Sequence, residues 1–170
     1  MSPLPVLLPL LVLLALPGRA APDQPTMPAT VLGVESGDVL RVRLAQRPRR
    51  IRLACVDAPE PLQQPWAEEA RQALERTLPV GTPVSVELRA RDVYDRIVAV
   101  VRHRGEDVAA GQLRSGRVFV LEGYLGRCDD LPYRALEDEA RGRGLGVWDV
   151  PGGLERPWDL RDRQDEPGEP

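Results

Sequence analysis

The stretch ATVLGVESGDVLRVRLAQRPRRIRLACV, residues 29–56, decides the architecture. Its short apolar and alternating runs are broken by ESGD at 35–38 and AQRP at 45–48. Period-two alternation marks half-buried strands, and clusters of Gly, Ser, Asp and Pro mark turns. The stretch therefore reads as three antiparallel strands joined by tight turns.

Downstream, QPWAEEARQALERTL (64–78) places Trp66, Ala70, Ala73, Leu74 and Thr77 on one stripe, an amphipathic helix closed by Pro79 and Gly81. TPVSVELRARD (82–92) and RIVAVVRHRG (96–105) read as two more strands, separated by the turn-like DVYD. A short helix, EDVAAGQLRSG (106–116), stops at Gly116, and LPYRALEDEARGRGLG (131–146) supplies a last helix with Tyr133, Leu136 and Ala140 along one face. Three strands, a helix, two strands and two helices make a mainly β, α+β domain. Closing five short strands into a barrel removes the sheet edges, and such five-stranded OB barrels often host oligonucleotides.

The ends differ from this domain. PVLLPLLVLLALPGRAA (5–21) is apolar, proline-interrupted and short for a membrane span, and ends in small residues; it reads as a secretory signal peptide over 1–20, ahead of a leader at 21–28. No Arg or Lys precedes the apolar run, so an uncleaved anchor is the other reading. The closing GGLERPWDLRDRQDEPGEP (152–170) reads as a tail in which Trp158 and Leu160 dock on the domain while DRQDEPGEP is disordered. Cys55 and Cys128 are the two cysteines; in an exported chain they form either a disulfide or a pair of thiols, and sequence does not supply the distance that decides.

With a net charge of −3 at pH 7, the chain is no bulk-charge nucleic-acid binder, so any phosphate site is local. The lone His103 and two separated cysteines exclude the usual zinc site, and no serine or cysteine triad can be assembled. What remains is a hard-oxygen set, Asp38, Asp57 and Glu60, with Arg52 and Arg96 beside it. Taken singly, Asp38 is ordinary turn chemistry and the others are solvated charges. Together they suit calcium, which takes oxygen ligands in flexible geometry, next to an anion held by arginine forks. One difficulty follows from strand parity. Arg52 and Asp57 are an odd number of residues apart and point to opposite faces of a continuous strand, so convergence needs a bulge or a strand that ends early, for which Pro59 is the candidate cause.

SGDVLRV (36–42), RIRLACVDAPE (50–60), QPWAEEAR (64–71), DVYDRIVAVV (92–101) and GLGVW (144–148) occur in the order and spacing of the staphylococcal nuclease-like (thermonuclease) family, which the chain resembles over residues 29–150. RPWDLR (156–161) is similar to a tail motif of its secreted bacterial members. The resemblance implies a five-stranded OB barrel with about three helices and a calcium-dependent nuclease acting on DNA and RNA with little sequence preference. It also implies roles. Asp38 and Asp57 would be calcium carboxylates with the main-chain carbonyl of Ala58, Glu60 would orient or deprotonate water, Arg52 and Arg96 would hold the scissile phosphate, and Tyr94 would contact substrate.

Three positions depart from the family pattern: Ser36 and Val39 in the DGDT-like turn, and Asp95, which stands for a glycine and sets a charge beside Arg96. Tyr124 has no clear counterpart among the base-stacking tyrosines, which leaves substrate preference open. A non-catalytic OB module binding nucleic acid or a protein partner is the alternative. Either way the expected product is an exported, periplasmic or extracellular monomer.

Overall fold

Ala45 and Gln46 close the hairpin between strands β2 (Val39–Leu44) and β3 (Arg47–Leu53), both with positive φ, 48° and 63°. Two consecutive left-handed residues form the two-residue turn whose twist matches that of the strands it joins. The computed structural model, which describes residues 25–92, 96–121 and 128–165, extends outward from this hairpin. Strand β1 (Thr26–Val34) pairs antiparallel with β2 (Val39–Leu44), and β2 with β3 (Arg47–Leu53). After β3 come the two-residue strand β4 (Val56–Asp57) and helix α1 (Trp66–Thr77). Strand β5 (Pro83–Arg91) lies on the other side of β1, β6 (Ile97–His103) pairs with β5, and β6 returns to β3 in parallel register, with Arg52 beside Val98. That last pairing closes a five-stranded barrel, the expected OB architecture.

The barrel interior is filled by apolar side chains, among them Val31, Leu40, Val42, Ile51, Leu53 and Val86, all essentially inaccessible to water. Beyond β6, β7 (Glu106–Asp107) leads into helix α2 (Val108–Arg114). The helix begins two residues later than the sequence suggests, because Glu106 and Asp107 pair with His103 and Arg102. The Asp107 carboxylate then accepts from the amides of Ala109 and Ala110, a side-chain cap on the helix start. Strand β8 (Phe119–Val120) pairs with β4, and α3 (Tyr133–Gly142) follows with Tyr133 and Ala140 buried. On α1 the stripe is shorter than expected: Ala70 and Leu74 are buried, but Thr77 is exposed and donates to the Ala73 carbonyl, and Leu78 fills the core instead.

Both ends depart from the sequence reading. β1 starts at Thr26, inside the expected leader, because Thr26, Met27 and Pro28 pair with Glu87, Val86 and Ser85. The tail forms a fourth helix among the described residues, α4 (Pro157–Asp165), which runs through Asp162–Asp165 where disorder was expected. It is held by an aromatic cluster. Phe119 meets Trp148 and Trp158 edge-on at 5.4 and 6.3 Å, the Arg156 guanidinium stacks 4.4 Å above the Phe119 ring, and Leu160 is buried.

Cys55 and Cys128 are joined in a disulfide with Cα atoms 6.0 Å apart, across a sequence separation of 73. Closing a loop of that length stabilises the fold by about 4 kcal/mol in the chain-entropy account.

Candidate active site

The parity problem of Arg52 and Asp57 is solved by the backbone. Strand β3 ends at Leu53, the chain turns through Ala54 and Cys55, and β4 resumes at Val56 against a different partner strand. Cys55 sits at φ 63°, a left-handed conformation that a non-glycine residue adopts only where its surroundings impose it. Here the disulfide and the bond from the Leu121 amide to the Cys55 carbonyl fix it. The agent is therefore Cys55 rather than Pro59. After this turn Arg52 Nη2 donates to Asp57 Oδ1 at 2.6 Å, and Arg52 Nε lies 3.5 Å from Asp38 Oδ2.

Asp38 arrives from the β1–β2 turn. Val39 is paired with Arg52, and the Leu53 amide donates to the Asp38 carbonyl, so the turn is pinned to the end of β3. Gly37 allows the turn to lie flat. A Cβ there would come within 2.6 Å of the Ala70 Cβ and 3.0 Å of the Ala58 Cβ, closer than packed carbon atoms tolerate. The buried Gln112 amide donates to the carbonyls of both Gly37 and Ala70, tying the turn to α1 and α2. Ser36, which stands where the family often has an aspartate, donates its hydroxyl to Asp38 Oδ1 at 2.6 Å.

Glu60 closes the group. Its amide donates to Gln63 Oε1 at 2.8 Å, and Gln63 Nε2 donates to the Glu155 carbonyl of the tail, also at 2.8 Å. Its carboxylate accepts from Arg161 Nη1, while Arg161 Nη2 donates to Asp57 Oδ2 at 2.6 Å. Three carboxylates and two guanidinium groups, from the β1–β2 turn, β3, β4, the following loop and α4, thus share one spot. Arg161 was assigned no role from sequence. Its one signal was RPWDLR, which on a helix sets Arg161 three residues from Trp158, on the same face as the anchoring ring.

Asp38 and Asp57 are both buried. Burial pushes the Asp57 carboxyl above its ordinary value, and the Asp38 charge pushes it further; Arg52 and Arg161 only partly oppose this. For Arg161, burial acts to lower the guanidinium's pKa, yet its bonds to Asp57 and Glu60 hold it higher than usual. The two arginines thus only partly offset the burial of charge at Asp57. Among the described residues no cluster of three or more acidic, His or Cys side chains is arranged as a ready-made metal cage. Two buried, mutually repelling carboxylates are nevertheless the donor chemistry that suits a hard cation with carbonyl and water making up the shell. Asp38 and Asp57 fit a hard divalent cation in that sense.

The remaining expected residues are placed less tightly. Ala58 is buried beside Gly37. Arg96 directly precedes β6, in which Val98 is the partner of Arg52. The Arg96 amide and Nε both donate to Asp92; the expected pairing with Asp95 falls on a residue outside those described. Tyr94, Asp95 and Tyr124 lie outside the described residues. His103, half-buried at the end of β6, has its Nδ1 3.0 Å from the Pro83 carbonyl, away from the acidic cluster.

Comparison with known proteins gives the chain a family. The model of the staphylococcal nuclease homologue family matches residues 50–150. "Protein ParB" of Escherichia coli is 31% identical over 151 residues, covering 84% of this chain and 83% of its own. "Probable endonuclease LCL3" of Phaeosphaeria nodorum is 35% identical over 113 residues, and its Botryotinia fuckeliana namesake 36% over 110. In those two the match spans 38% and 41% of the relative's length and 59% and 58% of this chain, so it corresponds to less than half of each fungal protein. A family model matched over most of the chain, on a closed five-stranded barrel, shows that this chain belongs to the staphylococcal nuclease homologue family.

Proposed function

We propose that the protein is an exported, calcium-dependent nuclease that hydrolyses phosphodiester bonds of DNA and RNA with little sequence preference. The observation that carries this reading is the meeting of Asp38, Asp57, Glu60 and Arg52 at one buried spot, although the chain gives Arg52 and Asp57 opposite parity. The endonuclease names of the fungal relatives support it. So does the disulfide, which suits an oxidising compartment, together with the apolar segment at 5–21.

Asp38, Asp57 and the Ala58 carbonyl are the residues to hold the ion. When bound, calcium offsets charge on the phosphate and polarises a phosphoryl oxygen. Arg52 and Arg96 add guanidinium donors for the charge that builds on the equatorial oxygens of the five-coordinate phosphorus. Glu60 orients the attacking water and accepts its proton, a contribution typically of about a hundred to ten thousand fold. Tyr94, two residues before Arg96, is assigned to the substrate phosphate by family resemblance alone. The test is release of acid-soluble nucleotides from single-stranded DNA and from RNA, in calcium and then in chelator. Cleavage of both in calcium alone is expected; equal rates with chelator, or none in either, contradict the reading.

A further inference from the structure

We infer that Arg161 and Gln63 are positioning residues for Glu60, so that the tail helix α4 is a working part of the active site; this rests on the nuclease reading above. Glu60 is bound at two independent points, and both lead to the tail. Its backbone amide is held by Gln63, whose other end is fixed to the Glu155 carbonyl. Its carboxylate is held by Arg161, which simultaneously grips Asp57. A planar guanidinium bridging two carboxylates sets their separation and mutual orientation, which a point-charge ammonium does not.

The tail is suited to this because it has anchors of its own besides Arg161. Trp158 packs on Phe119, Arg156 stacks over Phe119 and Trp148, and Leu160 is buried. Phe119 is the cross-strand neighbour of Asp57 in the β4–β8 pair. The anchor of the tail and the carboxylate that Arg161 grips are thus one strand apart. A general base held to a fraction of an ångström retains its contribution to rate, and one free to swing loses it without loss of substrate affinity.

The experiment compares Arg161→Ala, Arg161→Lys, Gln63→Ala and, as a control on the same helix, Arg163→Ala, which removes only the exposed pair with Glu155. Arg161→Ala is expected to lower kcat at least tenfold with KM within about twofold. Arg161→Lys should restore part of that loss, and Arg163→Ala should match wild type. Independently of turnover, amide hydrogen exchange of the peptide containing Glu60 should speed up at least tenfold in Gln63→Ala and measurably in Arg161→Ala, with the thermal transition still cooperative. Unchanged kcat and exchange in Arg161→Ala, equal losses in Arg163→Ala, or faster turnover with tighter calcium binding in Arg161→Ala would each overturn the inference. If wild type itself cleaves nothing, the nuclease reading fails and the exchange data alone decide whether the tail holds Glu60.

Discussion

Asp57 and Phe119 stand directly across from each other in the β4–β8 pair, so a buried carboxylate of the site and the ring that anchors the tail share one two-stranded ladder. The consequence is a mechanical link between the aromatic cluster and the acidic pocket. Trp158→Ala removes a ring from Phe119 and from the Arg156 stack. It should cost about 1–3 kcal/mol in urea unfolding and expose α4 to limited proteolysis near Arg161 and Arg163, with the barrel still protected. An unchanged cleavage pattern would mean that the tail is held by something other than this cluster.

The turn at Cys55 gives a second prediction. Replacing both cysteines as Cys55→Ala with Cys128→Ala should remove up to about 4 kcal/mol by urea titration. Cys55→Gly with Cys128→Ala should recover about 1 kcal/mol of it, because glycine adopts φ 63° without steric penalty. Equal stabilities for the two double variants would show that the left-handed turn is not retained once the bridge is gone.

Gly37→Ala tests the seat of Asp38. The added methyl meets Ala70 at 2.6 Å and Ala58 at 3.0 Å, and both neighbours are fixed, one in α1 and one between β4 and the Glu60 loop. A loss of about 1–3 kcal/mol is expected, with calcium affinity by calorimetry falling alongside as the turn is pushed away from Asp57. Wild-type affinity in a destabilised variant would separate the packing from the metal site.

Asp57→Asn should trade function for stability. Because burial and Asp38 raise the folded-state pKa of Asp57 above its ordinary 3.8, the ionised group opposes folding at neutral pH. In chelator the variant should therefore melt at or above the wild-type temperature near pH 7. As pH falls through the folded-state pKa toward 3.8, wild type takes up its proton and the variant's advantage should shrink. Calcium should raise the wild-type melting temperature and leave the variant unmoved. A variant less stable than wild type throughout would mean that the arginine pairs outweigh the burial of charge.

Much of this was legible in the sequence because its local signals agree with the fold. Alternation over Val39–Leu44 gave β2, the AQRP turn gave the hairpin, and the spacing of Ala70 and Leu74 gave the buried stripe of α1. The convergence of Arg52 and Asp57 required a break in the strand but not its cause, since a left-handed cysteine is imposed by a bridge formed 73 residues away. Arg161 was illegible for a related reason. Its partners lie 101 and 104 positions earlier, and nothing in the charge-rich RPWDLRDR distinguishes a buried bridge from a solvated face until Trp158 is seen on Phe119. Asp92 holds Arg96 because the amide of residue 96 returns to the Asp92 side chain, which places that carboxylate beside the guanidinium.

The central claim is that Glu60, held at the Asp57 cluster, and Arg96 carry out catalysis, and single-turnover cleavage of single-stranded DNA in saturating calcium tests it most directly. Glu60→Gln and Arg96→Ala, each with a wild-type circular dichroism spectrum and cooperative melt, are predicted to cleave at least a hundredfold more slowly than wild type. Wild-type rates in either variant would contradict the assignment.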